Sequence, residues 1–419
     1  MEQPPGYIEG RTGNVKRLKK ALYRLKQAGQ RWYDTFTREL ADLGFHPSAA
    51  DPRVFLVCIK DHILILVVYV DDCTLTGSSG KLVAIYKVKL DKKFPLTDLG
   101  AIHFLLGIQV TRNRAEHTLS LCQSSFIDRI LAHFSLTDAK PYGTPMVPSA
   151  SYSKHDTPSS PADIVCMCKV PYHEAIRSLM YVAVTTRPDI SFAVSCLSQF
   201  LENLGEAHWQ AVKRVFHYLA GTRNQVLTYS IEQHAPQGYT NADGASQEHC
   251  HAISGYVFII NGGAVLWCSR KQELVTLSTA EAEYVVATHA TKECIWLRRL
   301  TGELFPKLQT KTTLFCDNQA ALKLAMDDNY HTRTKHIDIR FHFIRQVIAS
   351  GAIDMVYCPT DDMTADILTK ALPCWKVMCH GLGLGLHQPS GGVMKSEGDD
   401  EDVQLHGTRV KIGVRAHEE

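Results

Sequence analysis

The chain has 419 residues, 45% hydrophobic and 21% charged, which suggests two or three domains, each long enough to bury a core of its own. Lys and Arg number 45 against 43 Asp and Glu, so the net charge of +2 excludes attraction of a polyanion by a global field and leaves that task to local basic patches. Thirteen cysteines, an odd number spread through apolar stretches such as Val57-Cys58-Ile59, read as reduced thiols, and neither Cys166-Met-Cys168 nor Cys374 with Cys379-His380 has the second pair that a zinc site needs.

The N-terminal Met1-Glu-Gln-Pro-Pro-Gly6 is polar and turn-prone, unlike a signal peptide. Between Val15 and Leu43 the positions Leu18, Leu22, Leu25, Trp32, Phe36 and Leu40 recur at helical spacing, with a break expected near Gly29. Lys16, Arg17, Lys19, Lys20, Arg24, Lys26 and Arg31 lie between them, as a phosphate-contacting face or simply a solvated one. Residues 54–59 and 63–70 read as two strands around a turn at Lys60-Asp61-His62, too interrupted for a membrane span. A short strand at 73–76 follows, then a helix near 81–94. Residues 141–170 hold five prolines among many Ser and Thr and read as a linker. Helices are expected at 172–185, 188–203 and 206–221. From about 236 the pattern becomes three strands, helix, strand, two helices, strand, helix, which fits a mixed sheet flanked by helices. The tail after Pro373, with its acidic run Glu397–Asp402, reads as disordered.

Two sets of carboxylates carry chemistry. Asp71 and Asp72 close the apolar run Ile63–Val70 at a hairpin tip, where paired hard oxygen ligands suit Mg²⁺; a plain turn has about equal standing on spacing alone. Further on, Ser278-Thr-Ala-Glu281 reads as a capping box, which makes Glu281 structural. Glu283 shares a helical face with Ala287 and Ala290, where small residues let a helix lie close to a sheet. Asp317 follows the apolar run Leu314-Phe315-Cys316 at the carboxyl end of a strand, where open sheets tend to place their sites. Asp366 lies two residues after an expected N-cap at Thr364, where a plain acid would favour the helix dipole. Lys335–Ser350 is amphipathic, with Ile337, Phe341, Ile344 and Ile348 on one face and Lys335, His336, Arg340 and Arg345 largely elsewhere, a basic face that suits a nucleic-acid backbone or is simply solvated.

In residue and order, Leu18-Lys-Lys-Ala-Leu-Tyr-Arg-Leu-Lys-Gln-Ala-Gly-Gln-Arg-Trp32, Tyr69-Val-Asp-Asp72 and Leu106-Gly-Ile108 resemble the reverse transcriptase of copia-type LTR retrotransposons. Ser178-Leu-Met-Tyr181, Thr186-Arg-Pro-Asp-Ile190, Ser278–Tyr284, Cys316-Asp-Asn-Gln319, Thr334-Lys-His-Ile-Asp338 and Ala365-Asp-Ile-Leu-Thr-Lys370 resemble the connection and RNase H parts of the same polyprotein. The resemblance implies an α+β multidomain chain: a partial reverse-transcriptase palm at 1–112, a connection region at 113–235, an RNase H-like domain at 236–373 and a tail at 374–419.

It further implies polymerase metal ligands at Asp71 and Asp72, with a third aspartate upstream of the residues corresponding to Met1–Gly6 and so a lost polymerase activity, and nuclease ligands at Asp243 or Asn241, Glu283, Asp317 and Asp366. Mg²⁺ or Mn²⁺ would be the cofactor, two ions about 4 Å apart astride one phosphate. Lys19, Lys20, Lys26, Lys335, His336 and Arg340 would meet RNA template, DNA or RNA–DNA hybrid. The implied setting is cytoplasmic, in virus-like particles or nuclear, with no membrane. Three positions depart from the family pattern. Asn241-Ala-Asp243 stands where Asp-Ala-Asp is usual, leaving the register of the first ligand open, and Arg24 and Arg177 stand where glycine is usual. A catalytically inactive nucleic-acid-binding remnant is the alternative expectation.

Overall fold

The computed structural model describes residues 25–70, 72–148, 150, 152–158, 160–231, 236–243, 251–306, 311–326, 338–389 and 406–412, with Val15 and Leu18. The chain divides into two compact units, one of residues 1–102 with 398–419 and one of residues 103–397. The breaks between the units fall after Ile102 and after Glu397.

In the first unit, helix α1 (Ala28–Asp42) begins beside Gly29, the expected break, and is followed by β1 (His46–Pro47), β2 (Val54–Ile59), β3 (His62–Tyr69), β4 (Asp72–Gly77), α2 (Gly80–Lys93) and β5 (Leu96–Ala101). The β2–β3 turn places Lys60 at φ 54°. A final strand, β16 (His406–Ile412), enters the sheet between β4 and β5, giving the order β1-β2-β3-β4-β16-β5 with antiparallel neighbours throughout. Phe36 and Leu40 of α1 and Val83, Tyr86 and Leu90 of α2 pack on Phe55, Leu64, Leu66 and Leu75 of the sheet.

The second unit holds two sheets. β6 (Phe104–Leu105), β7 (Ile108–Asn113) and β8 (Thr118–Cys122) form one with β9 (Val226–Tyr229) and β15 (Leu386–His387). Helices α3 (Ser124–His133), α4 (Pro161–Met167), α5 (Tyr172–Thr185), α6 (Ser191–Ser198) and α7 (Glu206–Thr222) lie between β8 and β9 in the chain. The other sheet has the order β12-β11-β10-β13-β14, from β10 (Gln237–Asp243), β11 (Ile253–Ile260), β12 (Gly263–Lys271), β13 (Thr312–Cys316) and β14 (Ile353–Tyr357). Its first three strands are antiparallel and its last three parallel. Helix α8 (Thr279–Leu304) follows β12, α9 (Gln319–Met326) and α10 (Asp338–Ala349) follow β13, and α11 (Cys374–Gly383) precedes β15.

Strand β11 is buried on both faces, as its near-continuous apolar run requires. Tyr256 and Phe258 pack with α8, α9 and α10, whereas Ile253 and Val257 pack with Leu179, Phe216, Leu368 and Val377. Residues on both sides of positions 235 and 373 thus share one core.

Two compositional expectations are corrected. Residues 141–170 are not a free linker: Met146 joins the shared core, Ser153 caps a turn at Lys154–Asp156, and Ser160 caps α4 with Pro161 in its first turn. The tail is not wholly disordered either. Val377 and His380 of α11 are buried, and in β16 the alternation Thr408, Val410 inward fits a strand. Conversely, the motif Thr186-Arg-Pro-Asp-Ile190 proves structural. Arg187, 1% exposed, donates two hydrogen bonds to Asp189, at 2.9 and 2.7 Å, and others to Thr222, while the Tyr218 hydroxyl donates to Asp189 at 2.7 Å. Arg177 is exposed on α5, so it obstructs nothing in this unit. The described cysteines are free thiols, and among the described residues no helix is long and apolar enough to cross a membrane.

Candidate metal centre

Strand register creates the centre. Parallel pairing sets Thr240 opposite Cys316, so the next residues, Asn241 and Asp317, emerge at the carboxyl ends of adjacent strands. Asn241 is buried and lies across from Gly255 in β11. A Cβ on Gly255 would stand 2.5 Å from Thr369 Cγ2 and 3.1 Å from the Ala365 carbonyl oxygen, so the missing side chain lets the 3₁₀ turn Thr364–Leu368 lie against the sheet. That turn carries Asp366, fully buried, to Asn241, whose Nδ2 donates to Asp366 Oδ1. Lys370, four residues on, pairs with Asp366 Oδ2 at 2.8 Å.

Glu283 comes from the second turn of α8. Its Oε1 accepts a hydrogen bond from the Ala242 amide at 2.8 Å, while its Oε2 is buried with no hydrogen-bond partner. Asp317, half-buried, accepts from the Thr360 hydroxyl at 3.1 Å. Ligand atoms of Glu283, Cys316 and Asp317 fall within 4.8 Å of one another.

Burial pushes the Glu283 carboxyl well above its ordinary range, and the charges of Asp317 and Asp366 push the same way. Burial also raises Asp366, against the opposing pull of Lys370. The Cys316 thiol, pushed up to about 12 chiefly by burial, stays protonated and is a poor partner for a hard cation. A buried carboxylate oxygen without a donor, beside two other acids, fits a divalent cation, whose charge would offset the desolvation each group has suffered.

Of the expected nuclease residues, Glu283 and Asp317 bring their ligand atoms together, while Asp366 meets Asn241 and acts on Glu283 through its charge. Asp243 closes β10 opposite Ile253 and is half-buried. Two local readings change. Glu281 is held structurally, but its carboxylate accepts from the Leu277 amide at 2.7 Å, one residue before the Ser278 cap, so the reciprocal box is not closed. Asp366 lies inside a buried 3₁₀ turn preceded by Met363, not at the start of a helix capped by Thr364.

Of the polymerase pair, Asp71 lies outside the described residues, and Asp72 begins β4 paired to Arg409 through both oxygens, at 2.9 and 2.8 Å. Lys19, Lys20, Lys335 and His336, like the Arg340 side chain, also lie outside them; Lys26 is exposed just before α1, and Arg345 of α10 donates to the Leu324 carbonyl at 2.9 Å. Sequence reasoning missed Lys370 and Arg409. The first had a signal in its spacing of four from Asp366, and the second had none.

The family described as Reverse transcriptase (RNA-dependent DNA polymerase) matches residues 1–148. The retrovirus-related Pol polyprotein from transposon TNT 1-94 of Nicotiana tabacum is 39% identical over 92% of this chain, and that from transposon RE1 of Arabidopsis thaliana 36% identical over 89%. The chain spans 29% and 25% of the length of those two polyproteins. A transposon Ty5-1 protein of Saccharomyces cerevisiae is 30% identical over 70% of this chain and 94% of its own length. Among solved structures, an RNase H1 isolated from compost by a metagenomic approach aligns at 17% identity with a TM-score of 0.26, covering 32% of this chain and 91% of that one. With its motifs in register and these relatives along most of its length, the chain belongs to the Pol polyproteins of copia-type LTR retrotransposons.

Proposed function

We propose that the second unit cuts the RNA strand of an RNA–DNA hybrid by cation-assisted hydrolysis, with Mg²⁺ as the natural ion and Mn²⁺ as a substitute. The observation that carries this reading is the meeting of Glu283, from α8, and Asp317, after the end of β13, with ligand atoms within 4.8 Å of one another, at a buried Glu283 oxygen that has no hydrogen-bond partner and that feels the charge of Asp366 on the 364–368 turn. Bound there, the ion would supply the positive charge that draws water and scissile phosphate together. Glu283 and Asp317 would hold it, Glu283 being fixed by the Ala242 amide and Asp317 by Thr360. Asp366 would bind less strongly, because Asn241 and Lys370 already occupy its oxygens. The basic positions around Lys335, His336 and Arg340, with Lys19, Lys20 and Lys26 for RNA template and DNA, are proposed contacts of the nucleic acid. The proposed setting is the cytoplasm, virus-like particles or the nucleus, where these polymers are found.

A labelled RNA–DNA hybrid incubated with the folded chain and Mg²⁺ tests this. Cleavage of the RNA strand alone, abolished by EDTA and by Asp317→Asn, is expected; cleavage that Asp317→Asn leaves unchanged refutes it. One observation favours a second reading, an inactive nucleic-acid-binding remnant: Asn241 brings no charge to the centre and uses its amide on Asp366. Salt-sensitive binding of hybrid without any product would decide for it.

A further inference from the structure

Strand β16 contacts β4 and β5 along both of its edges. His406 to Lys411 pair with Gly77 to Asp72 of β4, and Thr408 to Ile412 pair with Ala101 to Leu96 of β5. Without it, β5 would lose its neighbour in the sheet and β4 would expose an edge. The occupant is matched to its slot. Val410, fully buried, adds to the core under Phe36 and Leu75, and the Thr408 hydroxyl donates to the Gly100 carbonyl at 2.8 Å. Arg409 and Lys411 share the opposite face, as alternation demands. Lys411 stands opposite Asp72 in the ladder, and Arg409, its diagonal neighbour, donates through Nη2 to both oxygens of Asp72. The side chains of this pair are only 20% and 16% exposed, so water screens it weakly.

We propose that the gap between β4 and β5 is a strand-acceptor site filled by the chain's own segment His406–Ile412, and that the occupant, through Arg409, withholds Asp72 from divalent cations. A cation approaching Asp72 meets a guanidinium already on both oxygens and an ammonium across the ladder, so it must displace one positive charge beside another. The carboxylate that the Tyr69-Val-Asp-Asp72 motif would offer to a polymerase metal serves instead as the anchor of an inserted strand. This inference stands apart from the nuclease reading, which concerns the other unit.

Hydrogen exchange of the full chain tests the insertion: amides 407–411 should exchange at least 100-fold more slowly than free peptide, and exchange at the free rate overturns it. Mn²⁺ titration followed by electron paramagnetic resonance tests the block, in a full-length Glu283→Gln, Asp317→Asn, Asp366→Asn background that removes the acidic ligands proposed for the other unit. Adding Arg409→Gln should raise Mn²⁺ affinity at least tenfold, with Arg409→Lys between the two. Equal binding with and without Arg409, or none in either, overturns the proposal.

Discussion

Asn241→Asp probes the centre most directly. The replacement removes the amide donation to Asp366 and puts a carboxylate in a position that is 4% exposed. A hydrogen bond to a charged partner contributes about 1.5–3 kcal/mol, and two like charges about 4 Å apart at an effective dielectric near 20 repel by roughly 4 kcal/mol. Lys370 can turn toward both acids and relieve part of this, leaving a net loss of about 3–5 kcal/mol in a metal-free chain. At roughly 2–4 °C per kcal/mol, the melting temperature in EDTA should fall by about 10 °C. Mg²⁺ should reverse much of that, since a ligand at 100 times its dissociation constant contributes about 2.7 kcal/mol. Differential scanning calorimetry with EDTA and with Mg²⁺ measures both changes, and hybrid cleavage should rise at least tenfold. An Asn241→Asp chain as stable as the parent in EDTA, or indifferent to Mg²⁺, would refute the assignment of this position to the cation.

Three further outcomes follow from the same geometry. Because the Glu283 carboxyl is raised, the metal-free folded chain holds a proton that the unfolded chain releases, so stability falls as pH climbs past the ordinary value of 4.5; Glu283→Gln should melt higher than the parent at pH 8, with the gap closing toward pH 4.5, and a pH-independent gap contradicts the burial argument. Gly255→Ala should push the 364–368 turn off β11 and lower Mg²⁺ affinity while leaving the protein folded, which calorimetric titration beside circular dichroism can separate. Arg187→Met leaves Asp189 buried without its cation, at a cost of about 3–5 kcal/mol, so urea should unfold it at a clearly lower concentration than the parent; unaltered unfolding would show that the buried pair contributes nothing.

What was legible in the sequence was local. The hairpin of β2 and β3 and the helices α5 and α7 follow from strong apolar periodicity, and Glu283 and Asp317 announce themselves at element ends that adjacent residues define. The choice between Asn241 and Asp243 was not legible, because residues two apart share one strand face; that Asn241 is the residue to meet Asp366 depends on the pairing of Thr240 with Cys316, a register between residues 76 positions apart that no local pattern encodes. Composition misled twice for one physical reason. A Pro-rich or acidic stretch cannot build a core, yet Met146 and Val410 need only join cores that other segments have built. The Arg409–Asp72 pair, 337 residues apart, is the extreme case: an isolated Arg in a polar tail and an isolated Asp at a hairpin tip each read as unremarkable, and only the fold turns them into an ion pair. A motif intact in sequence can thus be engaged in structure, and the presence of Tyr69-Val-Asp-Asp72 is by itself no measure of whether Asp72 is free to bind metal.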